Sequence, residues 1–273
     1  MSEGDLSPIF AHADAYEKFM GRWSRRCGKG FLGWLALPRG LRWLDVGCGT
    51  GALTDCILES CAPSEVAAVD PATAHVEFAR ARAQNGQAQG GRARFEISDG
   101  CALPFADGTF DAAVSGLVLN FIADRAAAVR EMRRVVRPSG TVASYVWDFA
   151  ERNDVPQHFW AALALTDPMS AARAAETVNA ASTHPDALAR LFADAGLQRV
   201  ETRPIEIDVA FADFDDYWSS NTCFPSPVGR YAASLSGETL ARFQRSVRDF
   251  LPNSGNGRIE FRARAWAVRG ARP

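Results

Sequence analysis

The sequence predicts an α/β protein built on a doubly wound, mostly parallel sheet. Three observations predict it. Short apolar runs alternate with helical stretches from Leu41 to Trp147, the rhythm of successive βα units. The runs are followed by turns bearing glycine or aspartate. Two late strands then follow one another without that rhythm, which places an antiparallel edge on the sheet and brings it to seven strands.

Taken in order, Arg42–Val46 reads as the first strand, Gly47–Gly51 as a tight glycine turn, and Ala52–Leu58 as the opening of a helix. Glu65–Val69 is the second strand and closes at Asp70-Pro71, where proline suits the first turn of a helix. Phe95–Ser98 is the third and ends at Asp99-Gly100. Phe110–Ser115, after the turn-like Ala106-Asp107-Gly108-Thr109, is the fourth. A helix over Ala123–Val136 follows, and Pro138-Ser139-Gly140 breaks it before a fifth strand, Thr141–Trp147. Upstream, Ala13–Trp23 reads as a helix. Downstream, residues 151–183 are Ala-rich and helical, and Pro185–Ala195 is a short helix stopped by Gly196. Arg199–Ala210 is one strand or a bent pair. Helical or irregular chain continues to about Leu251. Arg258–Val268 then puts Ile259, Phe261, Ala263, Ala265 and Ala267 on one face. The expected organisation is a single domain over residues 1–273: an N-terminal helical cap at 1–40, a core at 41–148, and helical lid insertions at 149–183 and 211–252.

Composition narrows the function. The 273 residues are 47% hydrophobic and 23% charged, which disfavours disorder. Thirty basic against 32 acidic residues give a net charge of −2, which argues against a strongly basic nucleic-acid binder. No apolar run reaches the roughly 18 residues of a membrane span. The opening MSEGDLSPIF has neither a basic start nor an apolar core, so a cytoplasmic location is expected. Six dispersed cysteines without C-x-x-C spacing are expected to be reduced thiols. Four scattered histidines offer no metal-ligand array.

The chemistry concentrates in Trp43-Leu44-Asp45-Val46-Gly47-Cys48-Gly49-Thr50-Gly51. Glycines let the backbone turn sharply and approach a ligand, and the following helix points its N-terminal N–H groups into the crevice. Asp70, at the end of the second strand, can accept hydrogen bonds from both hydroxyls of a ribose. Together they indicate a nucleoside-containing cofactor. Gly47-x-Gly49-x-x-Ala52 also satisfies the loose pattern of a dinucleotide site, so a nicotinamide-dependent oxidoreductase stays open. Against it, Asp45 lies two residues before the first glycine, where a carboxylate gives a pyrophosphate nothing and an ammonium much. Asp99-Gly100 supplies an acceptor for an adenine amine, and no second domain is expected for a hydride-transfer substrate.

The chain resembles the class I S-adenosylmethionine-dependent methyltransferases, and most closely the small-molecule branch of the ubiquinone/menaquinone-biosynthesis (type 11) enzymes. The resemblance rests on Leu44–Gly51, Val69-Asp70-Pro71, Ser98-Asp99-Gly100 with Leu103-Pro104-Phe105, Phe110–Phe121, and Arg137-Pro138-Ser139-Gly140, in that order over residues 40–148. It implies a Rossmann-like methyltransferase fold with S-adenosyl-L-methionine as cofactor. Gly47 and Gly49 would face the methionine part, and Asp45 would orient its ammonium. Asp70, followed by Pro71, would hold the ribose. Asp99 would bind the adenine amine, with Gly100 and Cys101 near the ring. Leu117 and Asn120 would lie beside the sulfonium, and Tyr16 would cap the cofactor.

The sequence also departs from related patterns. Gly116-Leu117-Val118-Leu119-Asn120 is not the Asn/Asp-Pro-Pro-Tyr of amide- and base-amine N-methyltransferases, which disfavours those acceptors. Many quinone-type relatives carry His where this chain has Asn120. Asp148 and His158 are the candidates for a general base, with Asn120 as an orienting group rather than a base. For the acceptor, Phe211, Phe214 and Trp218 recur at helical spacing beside Tyr217, and Phe159-Trp160 and Phe224-Pro225 add aromatic surface. Phe159, Trp160, Tyr217 and Trp218 are the expected substrate contacts, and a small apolar or aromatic metabolite the expected substrate. A cofactor-binding protein without catalysis is the other reading.

Overall fold

The structure is a computed structural model that describes residues 21–83, 91–149, 154–176, 180–223, 227–252 and 257–273. Tyr16, most of the helix expected at Ala13–Trp23, and Phe224-Pro225 lie outside the described residues.

The described chain runs α1 (Arg22–Leu35), β1 (Arg42–Val46), α2 (Ala52–Ser60), β2 (Glu65–Asp70), α3 (Thr73–Arg82), β3 (Ala93–Ile97), β4 (Phe110–Gly116), α4 (Arg125–Val135) and β5 (Val136–Trp147). It continues α5 (Asp154–Thr166), α6 (Pro168–Glu176), α7 (Pro185–Asp194), β6 (Gln198–Phe211), α8 (Phe214–Thr222), α9 (Pro227–Ser234), α10 (Gly237–Phe250) and β7 (Ile259–Ala271). The seven strands form one sheet in the order β3-β2-β1-β4-β5-β7-β6, parallel except for β7, which pairs antiparallel with both β5 and β6. The order turns back between β1 and β4, and in open α/β sheets ligands bind outside the strands' carboxyl ends at such a switch point.

The sheet is buried on both faces. Trp43, Val66, Ala112, Val114, Ala143 and Tyr145 pack toward α1 and α2, while Leu44, Ala67, Ala113 and Val142 pack toward α4 and α7. Val76 and Ala79 of α3 meet Ala68 and Phe95 near the β3 edge. Burial on both faces explains why the central strands read as continuous apolar runs rather than alternating ones.

Three boundaries differ from the sequence reading. Helix α1 extends to Leu35 through Gly28, Gly30 and Gly33, residues that weaken an isolated helix. A Cβ on Gly28 would stand 3.4 Å from Cys56 Sγ, Leu53 Cδ1 and Tyr145 Oη, so the glycine serves close packing against α2 and β5. Pro138-Ser139-Gly140 does not break the chain before β5. The strand starts at Val136, opposite Phe110, and a register shift absorbs the irregular residues, with Ser139 at φ +63°. Phe211 is not part of a helical stripe but the last residue of β6. Asp213 caps the helix that follows, its Oδ1 accepting the Asp216 N–H at 2.8 Å.

Candidate cofactor site

The glycine bend between β1 and α2 is tied to the tip of β2. The N–H groups of Gly47 and Cys48 both donate to the Val69 carbonyl, at 2.8 and 2.9 Å. Gly47 has φ +74°, and a Cβ there would come within 2.4 Å of Val118 Cγ1, so only glycine fits beneath the segment after β4. Gly49 has φ +52°, and a Cβ there would meet nothing closer than His75 Nδ1 at 3.9 Å. Its backbone conformation rather than crowding calls for glycine.

Asp70 closes β2 directly beside the bend. Its Oδ2 accepts the Gly49 N–H and its Oδ1 the Ala72 N–H, each at 2.9 Å. One carboxylate thus fixes the bend on one side and the entry to α3 on the other, and Pro71 lies between its two anchors. Asp70 is 7% exposed, and burial pushes its carboxyl up against the pull of the two N–H groups. His75 of α3 is buried with Nδ1 3.8 Å from Asp70 Oδ1, and burial lowers the imidazole's tendency to take a proton.

Asp45 lies at the base of the bend, fully buried. Its Oδ2 accepts the Thr54 hydroxyl at 2.6 Å, while Oδ1 has no hydrogen-bond partner among the described residues. Desolvation pushes its carboxyl up to about 7 despite the Thr54 bond. An orphaned buried carboxylate oxygen beside a bare backbone bend suits a ligand carrying an ammonium group. Two carboxylates, Asp45 and Asp70, flank that bend, as an amino-acid-bearing nucleoside requires and a pyrophosphate does not.

The other expected residues gather at the same edge. Asp99 is exposed after β3, and its Oδ1 accepts the Cys101 N–H at 2.8 Å. Gly100 is buried against β1, where a Cβ would meet Val46 Cγ1 at 3.0 Å. The Cys101 thiol donates to the Asp124 carbonyl at 3.4 Å. Leu117 leaves β4 at φ +61°, its N–H on the Tyr145 carbonyl at 2.7 Å, and half-buried Asn120 sits in the single 3-10 turn that follows.

The expected substrate residues are not gathered there. Phe159 and Tyr217 are fully buried and stack on one another at 5.2 Å, within the core shared by α5, α8 and the β6–β7 pair. Their burial makes them packing residues in this structure, and only Trp160 and Trp218 of the four keep exposed surface. Asp148 is spent on Arg264, whose Nε and Nη2 reach its Oδ2 at 2.7 and 2.5 Å, with Trp266 Nε1 at 3.2 Å. His158 stacks on Phe261, and His184 caps α7. Among the described residues no three His, Cys, Asp or Glu side chains cluster as metal ligands, and no helix is long and apolar enough to cross a membrane. Sequence reading misses Thr54 and His75. The only signal for Thr54 is its place one turn into the helix that the bend folds back over Asp45.

Comparison with known proteins bears on this geometry. Residues 44–144 match the family model described as a methyltransferase domain. The chain is 37% identical over 120 residues to the demethylmenaquinone methyltransferase of Thermus thermophilus, covering 44% of this chain and 51% of that protein. It is 39% identical over 101 residues to the malonyl-[acyl-carrier protein] O-methyltransferase of Halorhodospira halophila, covering 37% and 33%. The matched stretch thus spans about half or less of these relatives. Among solved structures, phosphoethanolamine N-methyltransferase 2 of Haemonchus contortus in complex with S-adenosyl-L-methionine superposes with a TM-score of 0.59 at 15% identity, over 95% of this chain and 56% of that one. The YcgJ protein of Bacillus subtilis superposes at 0.54 and 20% identity, over 90% and 97%. At these identities the likeness is one of fold. Motif order, sheet topology and family match agree over one stretch: residues 44–144 form a methyltransferase domain of the class I, S-adenosylmethionine-dependent kind.

Proposed function

We propose that this protein transfers a methyl group from S-adenosylmethionine to a small, apolar or aromatic metabolite by in-line displacement. The observation that carries the reading is Asp70, held by the Gly49 and Ala72 N–H groups beside a glycine bend whose base contains the unpartnered Asp45 oxygen. In this reading the remaining lone pairs of Asp70 hold the ribose hydroxyls, and Gly47 and Gly49 pass under the methionine part. Asp99 takes the adenine amine, with Pro71, Gly100 and Cys101 around the ring. Leu117 and Asn120 border the reacting end, and Tyr16 caps the cofactor.

When bound, the cofactor supplies a methyl group already activated on a sulfonium. The residues' task is then alignment and exclusion of water, which lowers the barrier without a resident nucleophile. Asp148 is withdrawn from any base role by its ion pair with Arg264. Helices α5, α6, α8, α9 and α10 serve as a lid on the acceptor side, with Trp160 and Trp218 as its partly exposed aromatic surface. A small acceptor is supported by the demethylmenaquinone methyltransferase activity named for the Thermus relative. The net charge of −2 favours such a molecule over nucleic acid, in a cytoplasmic setting.

Incubation with methyl-labelled S-adenosylmethionine and a metabolite extract tests the reading. Label is expected in the small-molecule fraction. Cofactor binding with no labelled product, across extracts of varied origin, would reject catalysis and leave a binding protein.

A further inference from the structure

Asp45 and Thr54 stand on either side of the glycine bend, one at the end of β1 and the other in the first turn of α2. Both are fully buried, and the Thr54 hydroxyl donates to Asp45 Oδ2 at 2.6 Å. That bond staples the base of the bend and fixes the rotamer of the carboxyl. It also divides the carboxyl's work, because Oδ1 is left buried without a partner. Such an oxygen is costly unless a ligand completes it.

The charged groups facing Asp45 are acidic: Asp70 from β2 and Asp55 from α2, with the Cys48 thiol of the bend pushed well up by burial. The nearby cations are directed elsewhere. Arg25 and Arg82 engage Asp55, and His75 of α3 stands on Asp70. The unpartnered acid oxygen under the bend therefore favours a cation delivered by a ligand.

We propose that Thr54 is a positioning residue for the cofactor's amino group: by holding Oδ2 of Asp45 it presents Oδ1 to the ammonium under the bend. The inference rests on the cofactor reading above and extends it to a side chain outside the glycine–aspartate motif. The sign of the linkage follows from burial. Asp45 is pushed up to about 7, so below neutrality it holds a proton that an ammonium ligand must displace, and affinity for such a ligand falls as pH drops. The Thr54 hydroxyl favours the charged carboxylate, so its loss moves that transition to higher pH.

Two ligands separate this from a structural role. S-adenosylhomocysteine carries the amino-acid group, and 5′-methylthioadenosine keeps the nucleoside and sulfur but lacks it. Calorimetric titrations of wild type, Thr54→Val and Thr54→Ser from about pH 5.5 to 8.5 are expected to show three things. Thr54→Val weakens S-adenosylhomocysteine about tenfold at neutral pH, the size of one charge-assisted hydrogen bond. It leaves methylthioadenosine within about twofold and moves the pH midpoint for S-adenosylhomocysteine upward, and Thr54→Ser restores both. Equal loss for the two ligands, or an unmoved midpoint, overturns the assignment. Should Thr54→Val prove unstable, Thr54→Ala titrated against wild type in the same way decides: equal loss for the two ligands overturns the proposal, and a loss confined to S-adenosylhomocysteine supports it. A wild-type protein that binds neither ligand overturns the cofactor reading itself, and this assignment with it.

Discussion

The chain before Trp147 and the chain after it share one sheet but are held together on different terms. In the first part, backbone groups are pinned at the strand tips. The Val69 carbonyl takes two N–H groups of the glycine bend, Asp70 takes one from the bend and one from α3's entry, and Leu117 is locked onto Tyr145 in a left-handed conformation. In the second part, rings hold the helices. Phe159 stacks on Tyr217, Tyr217 meets Phe211 edge-on at 5.1 Å, and Trp218 meets Phe243 at 5.9 Å. A bend that needs glycine at fixed positions leaves a motif, whereas an aromatic core can be satisfied by many sequences. The family match accordingly ends at residue 144, before the ring-packed region begins.

If the two parts are separable, damage to one leaves the other's property intact. Phe159→Ala is expected to cost about 3–5 kcal/mol of stability by opening a hole among the rings. Affinity for S-adenosylhomocysteine should stay within about twofold, and denaturant unfolding paired with calorimetry checks both. A tenfold loss of affinity would show that ring packing sets the geometry of the bend.

The next effect is electrostatic and belongs to the first part alone. Asp45 is held at about 7 in the folded chain, against about 3.9 for an unfolded aspartate. Between those values the folded state keeps a proton that the unfolded state releases. The contribution is therefore fully present below about pH 4 and is lost as pH rises through about 7, at roughly 1.4 kcal/mol per unit for this one group. Asp45→Asn should flatten that part of the stability–pH curve. An unchanged slope would place the proton elsewhere.

How far the molecule is legible in its sequence follows the same division. β1, the bend and Asp70 are readable because strand ends, positive φ at Gly47 and a carboxylate at β2 are properties of local chain. The staple between Thr54 and Asp45 is not, since threonine early in a helix carries no mark of what its hydroxyl meets. α1 is readable only as far as Trp23, because Gly28 and Gly30 argue against a helix until α2 and Ile205 of β6 are seen to press on them. Phe159 and Tyr217 look like substrate contacts in the sequence and are core residues in the structure. Aromatic spacing locates a buried face but does not say whether protein or ligand covers it.

Two smaller effects sharpen the comparison. Asp70→Ala should weaken S-adenosylhomocysteine at least tenfold, since each charge-assisted bond to a hydroxyl contributes about 1.5–3 kcal/mol. The fold should survive, because the Gly49 and Ala72 N–H groups it deserts belong to half-buried residues. Trp218→Ala, in the second part, should raise KM for the methyl acceptor severalfold and leave the cofactor dissociation constant alone. Steady-state kinetics with a labelled acceptor would register the difference, and a matching loss of cofactor affinity would count against an acceptor-side lid.

The most direct measurement is a calorimetric titration of the wild-type protein with S-adenosylhomocysteine and, separately, with NADH at neutral pH. Saturable one-to-one binding of the first and none of the second is the expected result. Binding of NADH, or heat from neither ligand, would contradict it.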